Sequence, residues 1–156
     1  MLRMISGGMF VMGLVTSPVV LSPRQAPAPV PDYRHDPRLE TLRAFFHNAD
    51  CPAELYSAAF LEAADYNELD WRLLPSLSYV ETTGGKSARN NNLFGWDSGR
   101  AQFPSPVASI HAVGYRLAHS VLYKDKKLDK LLATYNPNLE YRRKVKSVMR
   151  RIARSE

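Results

Sequence analysis

From Asp36 onward, hydrophobic positions recur at three- and four-residue intervals and are broken by clusters of Pro, Gly, Asn and Asp, which is a helical period. In "DPRLETLRAFFHN", Asp36 is placed to cap a helix that opens on Pro37 and gathers Leu39, Leu42, Phe45 and Phe46 on one face. "PAELYSAAFLEAADY" repeats the design from Pro52, with Leu55, Ala58, Ala59 and Ala63 at helical spacing. "DWRLLPSLSYVE" predicts a third helix, capped by Asp70 and ending at Glu81, with Pro75 in its first turns where it costs least. No period holds from Thr82 to Pro104, so a long irregular or hairpin-like segment is expected there. Helical spacing returns in "SPVASIHAVGYRLAHSVLY", with Ser105 as cap, Pro106 first, and Ile110, Gly114, Leu117 and Val121 facing inward. "KLDKLLATY" and "LEYRRKVKSVMRRIARS" complete the set; in the latter Tyr141, Val145, Val148, Met149 and Ile152 form the inward stripe. The pattern predicts an all-α domain of about six helices, with an irregular segment in its middle.

Residues 1–21 hold one positive side chain, Arg3, followed by 18 uncharged residues, which reads as a signal peptide or membrane anchor. Residues 22–35 have the Pro/Ala bias of an extended linker, leaving 36–156 as the folded domain. This places the protein in the cell envelope: periplasm, wall or exterior. Charge then divides the chain. Residues 116–156 carry 12 Lys/Arg against 4 Asp/Glu, net +8, and residues 1–115 carry 9 against 11, net −2. A basic C-terminal helix favours polyanions such as acidic wall polymer or a membrane surface. The exported-looking N-terminus argues against nucleic acid as the partner.

Several chemistries are excluded or left without support. Cys51 is the only cysteine, so there is no internal disulfide, and nothing in the sequence around it organises a Cys/His pair. His35, His47, His111 and His119 lack metal-ligand spacing. "TTGGKS" is not a phosphate loop, because the required glycine position holds Val80 and the preceding segment reads as helix. The remaining candidate is Glu81. The apolar run "LLPSLSYV" brings it to the edge of a hydrophobic wall, where desolvation favours the protonated form that a general acid needs. Ser87, Asn91 and Asn92 offer paired donors and acceptors, and Phe94 and Trp96 offer flat faces for sugar rings. Those residue types point to glycoside cleavage.

"VETTGGKSARNNNLFGW", "FPSPVASIHAVGYRL" and "ATYNPNLEYRRKVKSVMRRI" together resemble the glucosaminidase domain of bacterial peptidoglycan hydrolases, in the lysozyme-like superfamily, over roughly Pro52 to Ile152. The resemblance implies a lysozyme-like α-helical fold around a sugar-binding cleft. It implies cleavage of the β-1,4 bond of the N-acetylglucosamine/N-acetylmuramic acid glycan, with no metal or organic cofactor. It also implies a catalytic glutamate at a helix end, which falls on Glu81, and a cleft tyrosine, which falls on Tyr135. The Asn-Asn-Leu-Phe-Gly element is matched at Asn91 to Gly95. Two departures stand out. Thr83 and Gly84 occupy places usually held by glycine and then an aromatic residue, and only "WDSGRAQ" separates Gly95 from Phe103. Asp97 is the one acid in that short excursion available as a second carboxylate. Hydrolysis, lytic transglycosylation giving anhydro products, and a non-catalytic peptidoglycan-binding or scaffold module all stay open at this level.

Overall fold

Among the described residues six α-helices form, in the order the period predicted. The computed structural model describes residues 31–154, with α1 at Pro37–Asn48, α2 at Ser57–Tyr66, α3 at Leu73–Thr82, α4 at Pro106–His119, α5 at Leu128–Tyr135 and α6 at Leu139–Ile152. The expectations for residues 1–30 lie outside the described residues. The described chain contains no strand, only one isolated bridge between Arg89 and Asn92, so it is an all-α bundle. None of the described helices is long and apolar enough to cross a membrane.

Side-chain caps explain three of these helix starts; α3 begins at Leu73 without one, and Asp70, read as its cap, instead accepts from the Arg72 N–H and guanidinium. Asp36, Ser105 and Asn138 accept hydrogen bonds from the backbone N–H of Arg38, Ala108 and Glu140, with Pro37 and Pro106 following two of the caps. Tyr33–His35, within the segment read as linker, form a 3-10 turn. Tyr33 is buried and donates to Asp65 at 3.0 Å, and Arg38 pairs with both Asp36 and Asp65.

Two elements depart from the expected register. Pro52–Tyr56 is a 3-10 turn, not the first turn of α2, and the Ala53 N–H donates to the Gly84 carbonyl at 2.9 Å. Three residues per turn rotate the following side chains relative to an α-helix. Leu55, read as inward, is accordingly 83% exposed, and Phe60, Leu61, Ala63 and Ala64 form the buried face of α2. In α4, Ile110, Gly114 and Leu117 are buried as expected, but the helix ends at His119. Ser120 is extended, the chain turns through Tyr123 N–H to Ser120 carbonyl (3.0 Å), and Val121 is 86% exposed while Tyr123 turns inward.

The core runs from α1 through α2 into the irregular segment. Phe46 stacks on Phe60 (5.7 Å), and Phe60 meets Phe94 edge-on (6.5 Å). Leu93 and Phe94 are buried, so residues 83–105, although irregular, are anchored in the core. Burying each such side chain contributes roughly 1.5–3 kcal/mol. α3 packs most extensively on α6, which sets the end of α3 beside the first turns of α6.

Candidate active site

Glu81 lies in the last turn of α3, and the way that helix ends determines where its carboxyl group sits. Thr83 adopts left-handed φ (+54°), and the N–H groups of Thr83 and Gly84 return to the carbonyls of Tyr79 and Ser78. The Thr82 hydroxyl donates to the Leu93 carbonyl at 2.8 Å and accepts from the Gly85 N–H at 3.0 Å, tying the helix end to the irregular segment. Gly84 has φ +59°, and a Cβ there would lie 2.7 Å from the Cβ of Cys51. An aromatic residue at this position would meet Cys51 and the Ala53 side chain. Close packing on the 3-10 turn therefore leaves no room for a side chain at this position.

The segment Asn90 to Phe103 is folded by its own amides. Asn92 is buried; its Nδ2 donates to the carbonyls of Trp96 (2.9 Å) and Ala101 (3.3 Å), and its Oδ1 accepts from the Trp96 N–H (2.9 Å). Asn91 Nδ2 donates to the Phe103 carbonyl at 2.9 Å. Both amides shape the segment from within. The turn brings Gly95, at φ +56°, against the acid: a Cβ there would sit 3.2 Å from Glu81 Oε2.

Glu81 Oε1 accepts a 2.6 Å hydrogen bond from the Tyr141 hydroxyl. Tyr141 stacks on Tyr135 (6.0 Å, 13° between planes), whose hydroxyl donates to the Phe94 carbonyl at 3.1 Å. Trp96 stands edge-on to Tyr135 (5.7 Å) and near Tyr123 (6.3 Å). The result is a cleft of about 430 Å³ lined by Glu81, Phe94, Gly95, Trp96, Asp97, Ser98, Tyr123, Tyr135 and Asn136. That volume is in the range of small-ligand sites.

Burial is the largest influence on Glu81 and raises its pKa above the ordinary carboxyl range; the Tyr141 hydrogen bond and the Lys144 charge partly oppose it. Burial likewise raises the pKa of Tyr135 and Tyr141, reinforced for Tyr141 by its hydrogen bond to Glu81 and for Tyr135 by the Glu81 charge. Both phenols therefore remain protonated and act as hydrogen-bond donors.

Of the residues singled out in the sequence, Glu81, Tyr135, Trp96 and Asp97 meet at this cleft. Asp97 is at its exposed rim, with Oδ1 accepting from Arg100 at 2.8 Å. Phe94 directs its ring to the core and its carbonyl to Tyr135, so the flat face at the opening comes from Trp96. Ser87, Asn91 and Asn92 do not line it, and Ser87 is solvent-exposed beyond the α3 turn. Tyr123, Tyr141 and Gly95 complete the site without having been singled out for it. Tyr141 did carry a signal, since a tyrosine in an inward stripe needs a partner for its hydroxyl. Tyr123 carried none, because the α4 period ran through it.

A larger hollow, about 630 Å³, lies beside Cys51. Its polar groups already satisfy one another, His47 with Glu54 at 3.2 Å and Lys86 with Asp50 at 3.0 Å, and burial raises the pKa of the Cys51 thiol. It offers no poised acid. Among the described residues no group of three or more His, Cys, Asp or Glu side chains could hold a metal ion. No protein-family model, curated protein or solved structure matches the chain.

Proposed function

We propose that the protein is a lysozyme-like peptidoglycan glycosidase of the glucosaminidase type, with Glu81 as general acid. The observation that carries this reading is a half-buried carboxyl group at an aromatic cleft, gripped by Tyr141 on one oxygen and approached by Gly95 at the other. In this mechanism Glu81 transfers its proton to the glycosidic oxygen as the C–O bond breaks, leaving an oxocarbenium-like centre on the sugar. Water attacks that centre and returns a proton to the Glu81 carboxylate, which restores the acid. Trp96 and Tyr123 supply the apolar faces on which sugar rings lie. Tyr135, its proton directed to the Phe94 carbonyl, offers its oxygen lone pairs to the developing positive charge or to the N–H of the 2-acetamido group.

A second outcome is supported by the state of Asp97. Among the described residues it is the only other acid in the cleft lining, and its carboxylate is paired with Arg100 at the solvent rim. Relief of the oxocarbenium centre by the substrate's own acetamido or 6-hydroxyl group needs no second carboxylate. Capture by the 6-hydroxyl yields anhydro ends, the lytic transglycosylase outcome. Mass spectrometry of glycan released from purified peptidoglycan distinguishes the two: reducing ends indicate hydrolysis and anhydro ends transglycosylation. Binding to insoluble wall material with no release of either would overturn the enzymatic reading and leave a binding module. The proposed setting is the cell envelope, with the basic face of α6 directed to anionic polymer or membrane.

A further inference from the structure

Trp96 is a wall with two sides. One borders the Glu81 cleft, and the other borders an apolar notch of about 150 Å³ lined by Trp96, Ala101, Phe103, Ala112, Val113 and Arg116. A hollow of this size accepts a group about as large as benzene. Arg116 closes the notch, with its guanidinium 5.0 Å from the Trp96 ring centroid. Among the described residues no carboxylate pairs with Arg116; its charge acts on the Trp96 ring and on the Tyr123 phenol. The guanidinium carbon lies over the indole ring, and the N–H groups can donate to a carboxylate in two parallel hydrogen bonds.

We propose that this notch and Arg116 form a specificity site for the peptide stem carried by the muramic acid units, with small apolar groups in the notch and a stem carboxylate on the guanidinium. The proposal rests on the glycosidase reading, because it takes the glycan to lie along the cleft face of Trp96. From there a substituent on the sugar reaches round the indole edge. Arg116 is a positioning and specificity residue in this account, remote from the proton transfer at Glu81.

The test compares native peptidoglycan with the same material after its stem carboxyl groups have been converted to amides, which removes charge and keeps shape. The wild-type protein is expected to favour the native substrate about tenfold in kcat/KM. Arg116→Met, which keeps an unbranched apolar chain over Trp96, is expected to bring that ratio to about one through loss on the native substrate. Arg43→Gln, on the exposed face of α1, controls for the loss of one surface cation and is expected to preserve the ratio. Equal rates for wild type on both substrates, equal slowing of both by Arg116→Met, or the same loss in Arg43→Gln would each overturn the proposal. If wild type releases nothing from either substrate, the glycosidase reading fails separately, and calorimetric titration with a soluble disaccharide-peptide and its amide decides the notch. A preference for the acid that Arg116→Met removes supports the site, and equal affinities refute it.

Discussion

At the residue scale the proposed chemistry depends on one acid held between two neighbours. Because Glu81 has a raised pKa in the folded state, the native protein binds its proton more tightly than the unfolded chain does. Stability associated with this group is therefore fully present below the unfolded carboxyl pKa of about 4.3 and is lost as pH rises through the folded value. Glu81→Gln removes the cost of a buried charge, so its melting temperature should exceed that of wild type at pH 7 and converge with it near pH 4. Tyr141→Phe acts in the opposite direction on the ionised form. It deletes a hydrogen bond to the carboxylate, of a kind contributing roughly 1.5–3 kcal/mol, and so raises the Glu81 pKa further. The basic limb of its kcat/KM profile is expected to move to higher pH, whereas a tyrosine acting only in packing would leave that limb in place. Gly95→Ala introduces a methyl group against Glu81 Oε2 and a left-handed conformation costing about 1–2 kcal/mol.

At the scale of elements, the end of α3 and the segment after it behave as one unit. Gly84→Ala would force a Cβ into Cys51 from a left-handed backbone, and a loss of about 2–4 kcal/mol in denaturant unfolding is expected. Asn92→Ala deletes three hydrogen bonds of a buried amide, worth about 1 kcal/mol each, and should lower activity together with stability because Trp96 and Gly95 lose their support. These elements also show what could be read from sequence. Asp36 and Ser105 announced their helix starts because capping is local chemistry, decided within three residues, whereas Asp70 is engaged by Arg72 and α3 starts only at Leu73. The position of Glu81 near a helix end was legible for the same reason. Register after Pro52 and the end of α4 were not, because both depend on contacts from distant chain: Ala53 to Gly84, and Tyr123 entering the cleft. The asparagines illustrate a further limit. Composition identifies an amide as a good hydrogen-bonding group but cannot say whether its partner is a ligand or the backbone four residues away.

At the scale of the whole molecule, charge and site are arranged on adjoining elements. α5 ends at Tyr135, in the cleft, while α6 carries Tyr141 inward and Arg143, Lys144 and Arg150 on its exposed side. The proposed attraction of this face to anionic wall material should be screened by salt, with retention on insoluble peptidoglycan falling steeply between about 0.05 and 0.5 M, as the Debye length contracts to a few Å. The central claim, that Glu81 supplies the proton for glycosidic cleavage, is tested most directly by the rate at which purified peptidoglycan is solubilised by wild type and by Glu81→Gln, with folding of the variant checked by its melting curve. The account predicts a folded variant that still binds the wall and cuts it about 10²–10⁴-fold more slowly. A folded Glu81→Gln protein that releases glycan at the wild-type rate would contradict it.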